Sequence, residues 1–145
     1  DSPWRNQKAV LESLHFGEKC MNGLILGEKP GAFAQLGYYQ MFLGCFDRAS
    51  SEKYYLDALV SFQNQLKSKQ TPPPVWLFAS FFCIAINMVV GRSNVAKDIM
   101  HQLADRYNEK RPEDMTEGEK IWLQRTSALW TNGIDRSEKF RQIAE

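Results

Sequence analysis

Leu36-Gly37, followed by Gly44-Cys45-Phe46-Asp47-Arg48-Ala49, decides how this chain is read: a helix, a tight turn at Gly44 and a second helix. Glycine placed directly after an apolar helical run suits the left-handed conformation in which helices commonly end. The pattern returns as Gly91-Arg92-Ser93-Asn94-Val95-Ala96 and, more faintly, as Gly133-Ile134-Asp135. A recurring helical hairpin says much about architecture and little about chemistry, because fold and function are separable.

Outward from that stretch, Ala32 to Leu43 is apolar almost all round, the character of a helix buried between neighbours. Its partner, from Asp47 or Ser51 to Lys67, sets Tyr55, Leu59, Phe62 and Leu66 against Glu52, Asp57, Ser61 and Asn64, which is amphipathic spacing. Upstream, Ser2-Pro3 opens a helix running toward Ile25, with Val10, Leu14, Met21 and Leu24 near one face. Gly17 and Gly23 weaken it, and the segment Gly27 to Gly31 ends it.

Downstream, Lys67 to Pro74 is the clearest breaker in the chain. The apolar run Val75 to Val90 is shorter than the ~20 residues needed to span a bilayer. It also carries Ser80 and Asn87, and it reads as a buried central helix. A turn at Gly91 leads into a helix from Ser93 in which Val95, Ile99 and Leu103 stack inward. Thr116 with Glu119 forms a capping box. The helix it opens carries Ile121, Trp122, Leu129 and Trp130 and ends at Asn132-Gly133, and Asp135 with Glu138 caps a final short helix. No stretch alternates in the manner of strands and hairpins. The expectation is an all-α chain of about seven helices.

Composition narrows the chemistry. The 145 residues fit one domain, able to bury about two-thirds of its unfolded surface. With 18 Lys and Arg against 17 Asp and Glu, the net charge is +1, and no global field draws in nucleic acid or an anionic membrane. Cys20, Cys45 and Cys83, odd in number and set among apolar residues, read as buried, inert thiols in a reducing, cytoplasmic compartment. Asp98, His101 and Asp105 share a helix face, as do Glu12, His15 and Lys19, and both sets read as surface ion pairs rather than metal ligands. Gly23, Gly27 and Gly31 lack the following Lys-Ser or Lys-Thr of a phosphate loop. No catalytic residue, metal or cofactor is expected.

Phe33, Leu36-Gly37, Gly44, Phe46 and Ala49 fall where tetratricopeptide repeats place a bulky residue, a Leu-Gly pair, a turn glycine, an aromatic and a packing alanine. This hairpin resembles that family. The second copy keeps Gly91 and Ala96 but has Ile84 where a small residue belongs; the third keeps Trp122 and Gly133 but has Glu138 at the packing-alanine position. The turn glycines lie 47 (91 − 44) and 42 (133 − 91) residues apart. The family repeat is roughly 34 residues, so the helices or linkers must be longer. The resemblance implies a right-handed array of antiparallel hairpins over residues 30–70, 72–108 and 116–145, capped by residues 1–29, in a single domain 1–145. The alternative is an irregular helical bundle whose turns use glycine.

Carried over by register, the resemblance implies that the first helix of each hairpin lines a concave groove. Its residues would be Ala34, Tyr38, Met41 and Phe42; Phe78, Phe81, Ala85 and Met88; and Leu123, Ser127 and Trp130. These are aromatic, methionine and small residues, without the Lys, Arg and Asn with which some family members grip a peptide carboxylate. Such a groove suits an apolar or amphipathic protein segment, which makes an adaptor, scaffold or chaperone the expected role. Membrane insertion and nucleic acid are not expected. Two other readings stand beside it: a structural piece of a larger helical solenoid or homo-oligomer, and a small-molecule regulator or enzyme using an interhelical pocket.

Overall fold

The computed structural model describes the backbone of residues 7–26 and 29–144 and the side chains of 7–25 and 29–132. Among these residues six α-helices follow one another: α1 (Gln7–Leu26), α2 (Ala32–Phe46), α3 (Ser51–Lys67), α4 (Pro73–Val89), α5 (Ser93–Tyr107) and α6 (Glu117–Ala144). Short 3-10 turns, Arg48–Ser50 and Pro112–Asp114, precede α3 and α6. No strand occurs among the described residues, so the chain is all-α. No helix among them is long and apolar enough to cross a membrane. The chain divides into two compact units, residues 1–79 and 80–145, the division falling within α4.

In the first unit, α2 lies between α1 and α3, and glycines set the approach. A methyl group at Gly37 would stand 2.9–3.0 Å from three ring carbons of Phe62, and one at Gly44 would stand 2.9 Å from the ring of Tyr55. Gly37 and Gly44 are seven residues apart, as are Tyr55 and Phe62, so the rings of α3 sit antiparallel on the glycines of α2. In the same register the Ala34 N–H donates to Gln65 Oε1 at 2.9 Å. On the other side, Gly17 of α1 faces the ring of Tyr39, 2.6 Å from where a methyl carbon would sit. Leu43, Ala58 and Phe62 are wholly buried in this unit, and Leu36 and Leu59 nearly so.

Several expectations change here. Gly44 does not end a helix: α2 runs on to Phe46, and the positive-φ glycines among the described residues are Gly31 and Gly91. Its missing side chain makes room for Tyr55 instead. Ala49 is exposed in a 3-10 turn and packs no helix pair. Ser61, expected on the wet side of α3, is buried, and its hydroxyl donates to Gln40 Oε1 at 2.6 Å. α1 passes through Gly17 and Gly23 without a break. The expected helix start at Ser2-Pro3 and the glycine at 27 lie outside the described residues.

In the second unit, the turn after α4 is made as its sequence requires. Gly91 has φ +80, the Gly91 N–H reaches Met88 O at 3.4 Å, and the Arg92 N–H reaches Asn87 O at 2.7 Å. That pair of bonds closes a helix with a left-handed glycine. On α5, Ala96, Ile99, Leu103 and Tyr107 are buried, whereas Val95, expected to stack with them, is exposed.

The capping box forms as the sequence proposes: the Glu119 N–H donates to Thr116 Oγ1 at 3.2 Å and the Thr116 N–H donates to Glu119 Oε1 at 3.2 Å. α6 does not stop at Gly133. One helix spans Glu117–Ala144, so the third hairpin does not form and the described residues hold six helices rather than seven. One interior glycine costs about 1 kcal/mol, and the Arg, Glu, Lys, Gln and Ala that follow are good helix formers.

Candidate functional site

The first unit carries the best-defined candidate surface. Opposite the faces that α2 buries, Gln35, Tyr38, Phe42 and Cys45 follow each other at steps of three and four residues, as one helical strip requires. Gln35 and Cys45 are exposed, while Tyr38 and Phe42 are half-buried. The Tyr38 and Phe42 rings meet edge to face at 4.6 Å, and Phe78, also half-buried, lies 5.7 Å from Tyr38. Phe78 in turn sits 6.2 Å from the buried ring of Phe62. The aromatic strip is therefore tied to the core that the glycines create. Met41 is half-buried beside it in sequence. Ala34, expected in the groove, is buried at 3 % exposure and belongs to the α2–α3 contact.

In the second unit, Phe81 packs edge to face on Phe82 at 5.0 Å and lies 5.5 Å from Trp122. The guanidinium of Arg125 covers Trp122 at 4.9 Å, a cation–π contact. Phe81 thus serves a local aromatic cluster. Ala85, Met88, Leu123 and Trp130 are half-buried and Ser127 is exposed.

Polar features that the sequence reading missed cluster around buried glutamines and one glutamate. Gln40 bridges three helices of the first unit: its Nε2 donates to Glu18 Oε2 at 3.3 Å, and its Oε1 accepts from Ser61. Gln65 Nε2 donates to Thr71 Oγ1 at 2.7 Å while its Oε1 holds the start of α2. Nothing local in the sequence marks these glutamines, because their partners come from other segments. Glu119, 2 % exposed, accepts from Lys110 Nζ at 2.9 Å and from the Tyr107 hydroxyl at 3.0 Å. The bond from Lys110, with those from Thr116 and Tyr107, holds its carboxyl down to about 2 against the opposing effect of burial. Burial, reinforced by Glu119, pushes the Tyr107 hydroxyl up to about 12.

The cysteines are not alike. Only Cys83 is buried, and burial pushes its thiol up to about 12. Cys20 and Cys45 are exposed, contrary to the sequence expectation. Apolar neighbours in sequence do not say which face of a helix a residue occupies. Cys45 Sγ and Tyr55 Oη form a hydrogen bond at 3.5 Å, which with burial raises the Tyr55 hydroxyl above its ordinary value.

A cavity of about 490 Å³ opens between the ends of α1, α2 and α3, lined among others by Ile25, Lys29, Phe33, Gln65 and Lys69. Among the described residues no three His, Cys, Asp or Glu side chains converge as metal ligands would. The chain matches no protein-family model, no curated protein and no solved structure.

Proposed function

We propose that this protein is a protein-interaction module, an adaptor or chaperone rather than an enzyme, that takes an apolar or amphipathic segment of a partner on the outer strip of α2. The observation that carries this reading is the half-buried aromatic strip Tyr38–Phe42, with Phe78 behind it and polar Gln35 and Cys45 at its ends. Half-buried rings on a rigid helix offer contact area with little side-chain entropy left to lose, and Met41 adds an adaptable neighbour. An amphipathic helix with anchors at i, i+3 or i+4, and i+7 fits such a strip. The α2–α3 hairpin is, in this reading, tetratricopeptide-like: Gly37 against Phe62 supports it, and the exposed Ala49 departs from it.

Selection from a phage-displayed library of random helical peptides tests the proposal. Enriched peptides should carry apolar anchors at helical spacing and lose about tenfold or more in affinity for Phe42→Ala, as truncation of a central aromatic anchor does. Far-UV circular dichroism of that variant should match the wild type. No enrichment, equal binding by the variant, or loss of its helical signal would each overturn the reading.

The cavity between the ends of α1, α2 and α3 favours a second reading, a small-molecule ligand held among helices. A ligand mass that stays with the protein in native mass spectrometry and leaves on Phe33→Trp substitution would favour it over the first.

A further inference from the structure

We infer that the outer face of α1 joins two copies of this chain, crossed antiparallel about Phe16. This face is distinct from the strip on α2, and the inference does not depend on the function proposed above.

Phe16 is 70 % exposed, the second most exposed large apolar side chain among the described residues after Val89. Ala9 and Gly23 lie seven residues to either side of it, within about 20° of the same line on a helix of 3.6 residues per turn. Both are exposed, and a methyl group at Gly23 would meet nothing within 4 Å. A bulky apolar centre with small residues one heptad away on each side is a face another helix can approach closely. Glu12 and Lys19, both exposed, flank the line on one side; Ser13 and Cys20, also exposed, flank it on the other.

The charges choose the occupant and its direction. Glu12 stands four residues before Phe16 and Lys19 three after it, about 6 Å below and 4.5 Å above at 1.5 Å per residue. A two-fold axis perpendicular to α1 and level with Phe16 keeps each flank on its own side and reverses the direction of the helix. Glu12 of one copy then comes to within about 1.5 Å of the height of Lys19 of the second, and the pairing occurs twice. Ala9 of one copy faces Gly23 of the other, and Phe16 meets Phe16. A parallel crossing instead carries that flank to the opposite side, where Glu12 meets Ser13 and Lys19 meets Cys20 of the other copy, and neither ion pair forms. The face is complementary to itself in one orientation only.

One helix face buries less than the roughly 1,200 Å² of a standard interface, so the dimer should be weak and reversible, with Kd on the order of 10–100 µM. Sedimentation velocity between about 10 µM and 1 mM reads this directly. The wild type should pass from monomer to dimer across that range, and Phe16→Glu should stay monomeric. Glu12→Lys or Lys19→Glu alone should each weaken association by about threefold to tenfold, and the double swap E12K/K19E should restore it to within about twofold. These positions face away from the packed side of α1, so far-UV circular dichroism should not change. A wild type that remains monomeric at 1 mM, single swaps without effect, or a double swap that fails to restore the dimer would each overturn the inference.

Discussion

Gly37 and Gly23 are both interior helical glycines, and the structure assigns them opposite responses to the same substitution. Replacing either by alanine removes the conformational penalty of glycine, worth about 1 kcal/mol in a helix interior. At Gly23 the new methyl meets nothing within 4 Å, so Gly23→Ala should stabilise the protein by about 0.5–1 kcal/mol. At Gly37 the methyl would stand 2.9–3.0 Å from three ring carbons of Phe62, a side chain with no exposed surface. That ring has no open space to turn into, and overpacking of this kind costs about 1–3 kcal/mol. Gly37→Ala should therefore destabilise by about 1 kcal/mol, despite its better helix propensity. The two variants should differ by about 1.5–2 kcal/mol, or roughly 1 M in urea midpoint for an m-value of 1.5–2 kcal/mol/M. Urea unfolding followed at 222 nm for both variants and the wild type measures it, with an unchanged slope confirming a change in stability alone. If Gly37→Ala gains as much as Gly23→Ala, the Phe62 ring does not sit on Gly37 and the account of the α2–α3 contact fails.

Two further outcomes are expected. Glu119 is held down to about 2, below an ordinary value of 4.5, chiefly by the hydrogen bond from Lys110. A folded value lower than the unfolded one gives stability that is present above the unfolded value and lost as pH falls toward the folded one. Urea midpoints should thus be level above about pH 5 in this respect and fall between about pH 5 and 2, and Glu119→Gln should flatten that part of the curve. A Glu119→Gln profile that parallels the wild type would refute the role of this carboxylate. As for the thiols, Ellman titration of the native protein should find Cys20 and Cys45, with Cys83 reacting only after unfolding in guanidinium; three fast thiols would contradict the burial of Cys83.

What could be read in the sequence was whatever is decided locally. The closing turn at Gly91 and the Thr116–Glu119 capping box depend on residues within a few positions of each other, and both stand as their spacing implied. Gly44 shows where that reasoning stops. A glycine at the end of an apolar run looks like a helix terminator until the ring of Tyr55, eleven residues on, is placed against it. At Gly133 a local stop signal was outweighed by the helix-forming residues beyond it. The candidate surface was legible in part. Tyr38 and Phe42 come only from the register of the tetratricopeptide resemblance, since α2 is apolar almost all round, and the burial of Ala34 is decided by Gln65 on α3. Gln40 had no readable role, since its partners Glu18 and Ser61 lie on two other helices.

The pairing of two glycines with two rings also acts as a register lock during folding. Sliding α3 by one turn along α2 would set Phe62 against Phe33 or Met41 rather than Gly37, and the helices would have to separate to accept it. A slide of seven residues keeps one glycine under one ring and loses the other. The hairpin therefore has one alignment with both contacts made and two neighbouring alignments with one. A chain searching for its fold is steered to a single answer by side chains that two of its residues do not have.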